Sequence, residues 1–174
     1  YFKQLDTISP DFEGYEYVYA LSLHEEHQVD AALSMTKQGL SKNPFDTQLF
    51  LLASQLSYEL HDMKQAEHYL LEAWEISDDL EEIALRLTNL YLEQERYEDI
   101  LAIDNQEWDN VLTRWNISRS YQALEQLEKA QAFYEELHKD LRDNPEFLEE
   151  YIYLLRECGD FEAAKKEAEH YLTL

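Results

Sequence analysis

Two histidines three residues apart, His24 and His27 in the stretch HEEH, form the first pair in this chain whose spacing suits a metal ion. The stretch falls at a turn between helices, where polar residues occur anyway, so no metal site is assigned. His61, His68, His138 and His170 are isolated in the sequence. With 38 Asp and Glu residues, carboxylate pairs occur everywhere and none stands out as an acid/base couple. Cys158 sits beside Gly159 at the end of a helical stretch with no histidine placed to activate it, which reads as a packing thiol. Gly14, Gly39 and Gly159 stand alone, so neither a phosphate-cradling loop nor a dinucleotide fingerprint can form. A G-x-S-x-G elbow is absent as well. The sequon Asn116-Ile117-Ser118 lies within a predicted helix and reads as chance. The expectation is a non-enzyme with no catalytic residue, no cofactor and no metal.

The elements that carry these residues are helices. Across 174 residues, 45% are hydrophobic, with 3 Gly and 3 Pro, a composition rich in helix formers and poor in turn breakers. The formal charge of −24 opposes nucleic acid and anionic membrane, whose phosphates are bound by Lys and Arg. It serves solubility on one reading and attraction to a basic protein partner on another. The lone cysteine excludes an internal disulfide and suits a reducing compartment, so a cytoplasmic location is expected. No apolar run reaches the ~20 residues of a membrane span. The chain begins at Tyr1 rather than methionine, which points to a piece of something longer.

The pentapeptide AEHYL occurs at 66–70 and again at 168–172, and the separation of 102 is three times 34. Small residues set the register. Ala32, Ala66, Ile100, Ala130 and Ala164 each open a helical stretch after a polar turn, at spacings of 34, 34, 30 and 34. Pro10 and Pro44 are likewise 34 apart, each closing a helix. A second pattern precedes each marker: Tyr19-Ala20 with Leu23, Ala53-Ser54 with Ser57, and Leu87-Thr88 with Tyr91. It continues as Ile117-Ser118 with Tyr121 and Tyr151-Ile152 with Leu155. Such a face carries a notch that lets a paired helix approach closely. In this register Asp62 and Asp160 are equivalents, and the identity of the two AEHYL copies is partly accidental. The parse has the end of a helix in 1–12 and units at 13–46, 47–80, 81–110, 111–144 and 145–174.

The clearest copies, LFLLASQLSYELHDMKQAEHYLLEAWEISDD at 49–79 and FLEEYIYLLRECGDFEAAKKEAEHYL at 147–172, resemble the tetratricopeptide repeat (TPR) family, and five copies in register carry the resemblance over nearly the whole chain. Its acidic, Tyr- and Leu-rich character resembles the YpiA-like TPR proteins of Gram-positive bacteria. The resemblance implies an all-α superhelical solenoid of antiparallel helix pairs, in which stacked units bury the faces that single units cannot. The third unit departs from the pattern, with Ile100 in place of alanine, a short second helix and Arg114 where the family prefers an aromatic. Local irregularity near 97–115 follows.

The family's function is protein–protein interaction through a concave groove lined by the first helix of each pair. Carried over position by position, the groove residues are Tyr17, Leu21 and His24, then Leu51, Gln55 and Tyr58. They continue with Leu85, Asn89, Trp115, Arg119 and Gln122, and end with Glu149, Tyr153 and Arg156. Trp115 and Tyr58 are the expected apolar anchors, with Asn89 and Arg119 for polar groups of a bound segment. The lysine of the family's carboxylate clamp is missing at the matching pairs Tyr17/Leu21, Leu51/Gln55 and Leu85/Asn89, which disfavours a chaperone-tail receptor. Two other readings remain: self-association through uncapped ends at 1–12 and 161–174, and the regulatory arm of an enzyme lying outside these residues.

Overall fold

A computed structural model describes residues 14–104 and 108–174, and within them the chain forms ten α-helices and no strand. They are α1 (Tyr15–Glu25), α2 (Val29–Lys42), α3 (Thr47–Glu59), α4 (Met63–Ile76) and α5 (Glu81–Glu93). Then come α6 (Tyr97–Ile103), α7 (Val111–Ala123), α8 (Leu127–Leu141), α9 (Pro145–Glu157) and α10 (Phe161–Tyr171). The helix fragment expected in 1–8 and the proline marker Pro10 lie outside the described residues. Contacts divide the chain into two compact units, 1–83 and 84–174.

The turns inside the helix pairs share one backbone design. His27, His61, Glu95, Glu125 and Gly159 all take positive φ, at 60°, 60°, 56°, 57° and 81°. Their spacing repeats the 34, 34, 30, 34 of the small-residue markers. In the last turn Gly159 N–H donates to Arg156 O and Asp160 N–H to Leu155 O, the paired bonds of a Schellman cap. The same two bonds recur at His61/Asp62, Glu95/Arg96 and Glu125/Gln126. The residue completing each cap is also the N-cap of the next helix: Gln28, Asp62, Arg96, Gln126 or Asp160. One residue thus ends one helix and starts another. Asp62 and Asp160 add a side-chain cap, accepting from Gln65 N–H and Ala163 N–H at 3.1 and 3.0 Å. These two aspartates are the equivalents that the register identifies.

Inside the first unit, α1 packs on α2, α3 on α4 and α2 on α3. Ala20, Ala32, Leu52 and Leu56 form a buried cluster in which the two alanines let the helices approach. Gly39 on α2 allows a further close approach, because an added Cβ would lie 2.9 Å from Leu49 Cδ1 and 3.0 Å from Glu16 Cβ. Ala66 on α4 is fully buried, whereas Ala168 in the second AEHYL copy is only half-buried and Ala164 takes the notch in its place.

Inside the second unit, α7 packs on α8, α9 on α10, α6 on α7 and α8 on α9. Ile100, Ala130 and Ala164 are buried at the marker positions. An aromatic cluster joins α7 and α8 to α9, with Tyr134 stacked on Tyr151 at 5.8 Å and Phe147 against Trp115 at 5.7 Å. The expected irregularity is visible as a seven-residue α6. Arg114, in the family's aromatic position, points its guanidinium to Glu136 at 2.5 Å.

Candidate functional site

The predicted groove residues sit on the odd-numbered helices, and the structure divides them into three kinds. Tyr17 and Leu21 on α1 pack against the buried cluster of the first unit, and Leu51 on α3 is itself buried. Leu85 is half-buried on α5. These side chains build the wall of the face rather than project from it.

The second kind is polar and bound to a side chain on its own or a neighbouring odd helix. His24 Nε2 lies 2.9 and 2.8 Å from the two carboxylate oxygens of Glu59, to which Gln55 also donates at 3.2 Å. Asn116 Nδ2 donates to Asn89 Oδ1 at 2.7 Å and to Thr88 Oγ1 at 3.1 Å, tying α7 to α5. Gln122 Nε2 donates to Glu157 at 2.8 Å. Glu150 on α9 is the densest junction: it accepts from Trp115 Nε1 at 2.7 Å, Arg119 Nε at 2.9 Å and Tyr134 Oη at 3.0 Å. Arg119 also reaches Glu146 at 3.0 Å and lays its guanidinium over the Trp115 ring, 4.1 Å from the centroid. Burial would lower the pKa of Arg119, but the bonds and charges of Glu150 and Glu146 outweigh it and hold the guanidinium above its ordinary value. For Tyr134, burial first and Glu150 second push the phenol upward.

Trp115 therefore departs from the expected role of exposed anchor. It is 5% exposed, with one face under Arg119, an edge on Phe147 and its N–H bonded to Glu150. A large aromatic with its polar handle satisfied is more stable inside than at the surface.

The third kind remains open to solvent. Tyr58 is 40% exposed on α3 and Tyr153 is 57% exposed on α9. Arg156 is exposed too, and so is Asn89 despite its bond from Asn116. Two hollows flank Tyr153. One of about 380 Å³ is lined by Gln122, Glu146, Glu149, Glu150 and Tyr153. The other, of about 290 Å³, is lined by Glu149, Ile152, Tyr153, Arg156 and Tyr171. The structure thus brings Gln122, Tyr153 and Arg156 together, with Arg119 bound to the carboxylates beside them.

Sequence reasoning missed Glu59, Glu146, Glu150 and Glu157, the acceptors that hold the polar row. A signal for three of them exists. His24–Glu59, Trp115–Glu150 and Gln122–Glu157 are each separated by 35 residues, one more than the repeat. In each case a residue of α1 or α7 meets the position just past its own equivalent on α3 or α9.

The chemistry-bearing residues of the sequence find structural places. His27 is a left-handed turn residue while His24 is bound to Glu59, so the two rings serve different ends. Among the described residues no group of three or more His, Cys, Asp or Glu is arranged to hold a metal ion. Cys158 is half-buried, and burial, then Glu157 and Asp160, push its thiol up and away from the reactive thiolate. Asn116 of the sequon is buried in α7 and bonded as above. No helix among the described residues is long and apolar enough to cross a membrane.

Residues 112–174 match the family described as YpiA-like, C-terminal tetratricopeptide repeats. The TPR repeat-containing protein YpiA of Bacillus subtilis (strain 168) is 24% identical over 161 residues, which are 90% of this chain and 38% of that protein. The chain therefore spans well under half the length of this relative. Among solved structures, YrrB, described as a TPR protein with an unusual peptide-binding site, superposes with a TM-score of 0.80 at 10% identity, covering 99% of this chain and 91% of YrrB. MamA from Desulfovibrio magneticus RS-1 superposes at 0.78 with 12% identity, covering 94% of this chain and 95% of MamA. These likenesses establish the fold. The chain has the all-helical tetratricopeptide-repeat fold, and it is similar in sequence to YpiA, with the YpiA-like family matched over residues 112–174.

Proposed function

We propose that this chain is a non-catalytic adaptor that binds a segment of a protein partner on the face of its odd-numbered helices, in the cytoplasm. The observation that carries the reading is Tyr153, 57% exposed between two open hollows on a face where Arg119, Gln122 and Glu150 are bound in place. A rigid aromatic presented on a pre-organised wall loses little entropy on binding, which is why such residues dominate binding energy. Tyr58 offers a second exposed ring on the same kind of face in the first unit. The TPR fold supports protein partners in general, and the peptide-binding site of YrrB is a property of that protein.

Photo-crosslinking tests the reading. A benzophenone amino acid placed at Tyr58 or Tyr153 is expected to trap a partner in the native organism, and the purified partner then binds the chain less tightly when Tyr153 is changed to Ala. Adducts only from Glu72 or Glu135, exposed on α4 and α8, would move the binding surface to the even helices and overturn it. Self-association has one observation in its favour, the exposed Phe161, Leu172 and Leu174 at and beyond α10. Sedimentation at two protein concentrations separates it from a monomeric adaptor.

A further inference from the structure

The two hollows beside Tyr153 differ in chemistry, and the difference specifies a ligand. The larger one is walled by Glu146, Glu149 and Glu150. Arg119 is the cation bonded to Glu146 and Glu150, which leaves two of the three formal negative charges uncompensated. Glu149 is exposed and has no partner among the described residues, and the Glu146 side chain is 73% exposed. The smaller hollow adds Ile152 and Tyr171 to the shared Tyr153, with the exposed Arg156 at its rim. The Arg156 side chain also lacks a partner among the described residues.

We propose that this groove recognises a protein segment in which a lysine or arginine is followed closely by a bulky apolar residue. The inference rests on the reading of the odd-helix face as the binding surface and adds the chemistry of its occupant. The basic group enters the larger hollow between Glu146 and Glu149 with Tyr153 beneath it, while the apolar side chain fills the smaller hollow against Ile152 and Tyr171. The face already holds a cation in this manner: Arg119 lies 4.1 Å over the Trp115 ring with carboxylates along its edge. Tyr153 with Glu146 and Glu149 offers a second ring and a second set of carboxylates next to it. Arg156 forbids a second cation in the smaller hollow and is placed to bind a carbonyl or carboxylate of the segment, which fixes its direction. The net charge of −24 steers a basic segment inward and repels an acidic one.

The test uses the 174-residue chain labelled with nitrogen-15 and capped hexapeptides of alanine carrying an adjacent Arg-Phe, Glu-Phe or Arg-Ala pair. At low salt the Arg-Phe peptide is expected to shift the amides around Glu149, Tyr153 and Arg156. Its affinity is expected to fall by about tenfold or more in Glu149→Lys and in Tyr153→Ala, and to be unchanged in Glu72→Lys. Both groove residues are exposed, and a circular-dichroism melt of each variant verifies that it is folded. Equal binding of the Glu-Phe or Arg-Ala peptide at Tyr153 would overturn the inference, as would equal binding of spermidine, because charge alone would then explain it. Shifts confined to Tyr58 and Gln55 would overturn it while leaving the adaptor reading intact. Absence of binding by any peptide also overturns it, and the crosslinking experiment then decides the adaptor reading separately.

Discussion

Glu150 receives donors from two helices other than its own, Trp115 and Arg119 on α7 and Tyr134 on α8. Removing the carboxylate leaves a buried phenol and an indole N–H without their acceptor, so Glu150→Ala is expected to cost about 2 kcal/mol of stability in a denaturant melt. At Ala66 the constraint is space. Ala66→Leu overfills the notch between α3 and α4 and is expected to destabilise by roughly 1–3 kcal/mol, whereas Ala168→Leu, on a half-buried position, costs much less. Ionisation supplies a third expectation. Burial, aided by Asp104, pushes the Tyr121 phenol up to about 12, and burial with the carboxylates Glu135, Glu167 and Asp160 does the same for Tyr151. These phenols ionise more readily in the unfolded chain. Their contribution to stability is therefore complete below pH 10 and is lost as pH rises through about 12. Melts across this window should fall with pH in the wild type and less steeply in Tyr151→Phe. An unchanged slope would show that other groups govern the alkaline limb.

At the scale of the helix pair, the shared cap residue decides how each turn is made. Gly159→Ala places a Cβ in a left-handed conformation and is expected to cost about 1 kcal/mol. Gln126→Asp works in the opposite sense. Gln126 has φ −85° and ψ 59°, close to the φ −91° and ψ 76° of Asp62, but makes no side-chain cap. An aspartate there is expected to accept from an N–H in the first turn of α8 and add about 0.5–1 kcal/mol. The helices and their pairing were legible in the sequence because small residues must recur wherever two helices meet closely, and Ala32, Ala66, Ala130 and Ala164 do so. The left-handed turn residues were not, because only one of the five is a glycine and the other four are His or Glu, which occur mostly at negative φ. The site was legible only by position. The resemblance put Tyr153, Arg156 and Gln122 on one face, but Trp115 and Leu51 lie inside the wall. Sequence type alone does not say whether an aromatic on a helix faces a ligand or the next helix.

For the whole molecule the governing quantity is charge. A formal charge of −24 on 174 residues repels itself, so raising ionic strength to the physiological range, where the screening length is ~8 Å, should raise the melting temperature. The same screening should slow association with a basic partner, measured as a falling association rate with added salt. An association rate indifferent to salt would leave the charge as a solubility device.

The shared cap also governs how a chain of this kind changes length. The joint from α7 to α8 runs from Leu124 to Gln126, and its three residues all take part in closing one helix or opening the next. An inserted residue there shifts the left-handed position and the N-cap together, so both helices lose their ends. The fall in spacing from 34 to 30 lies outside these turns, in the unit that carries the seven-residue α6. Linkers, protease sites or a grafted epitope belong between pairs and never within them.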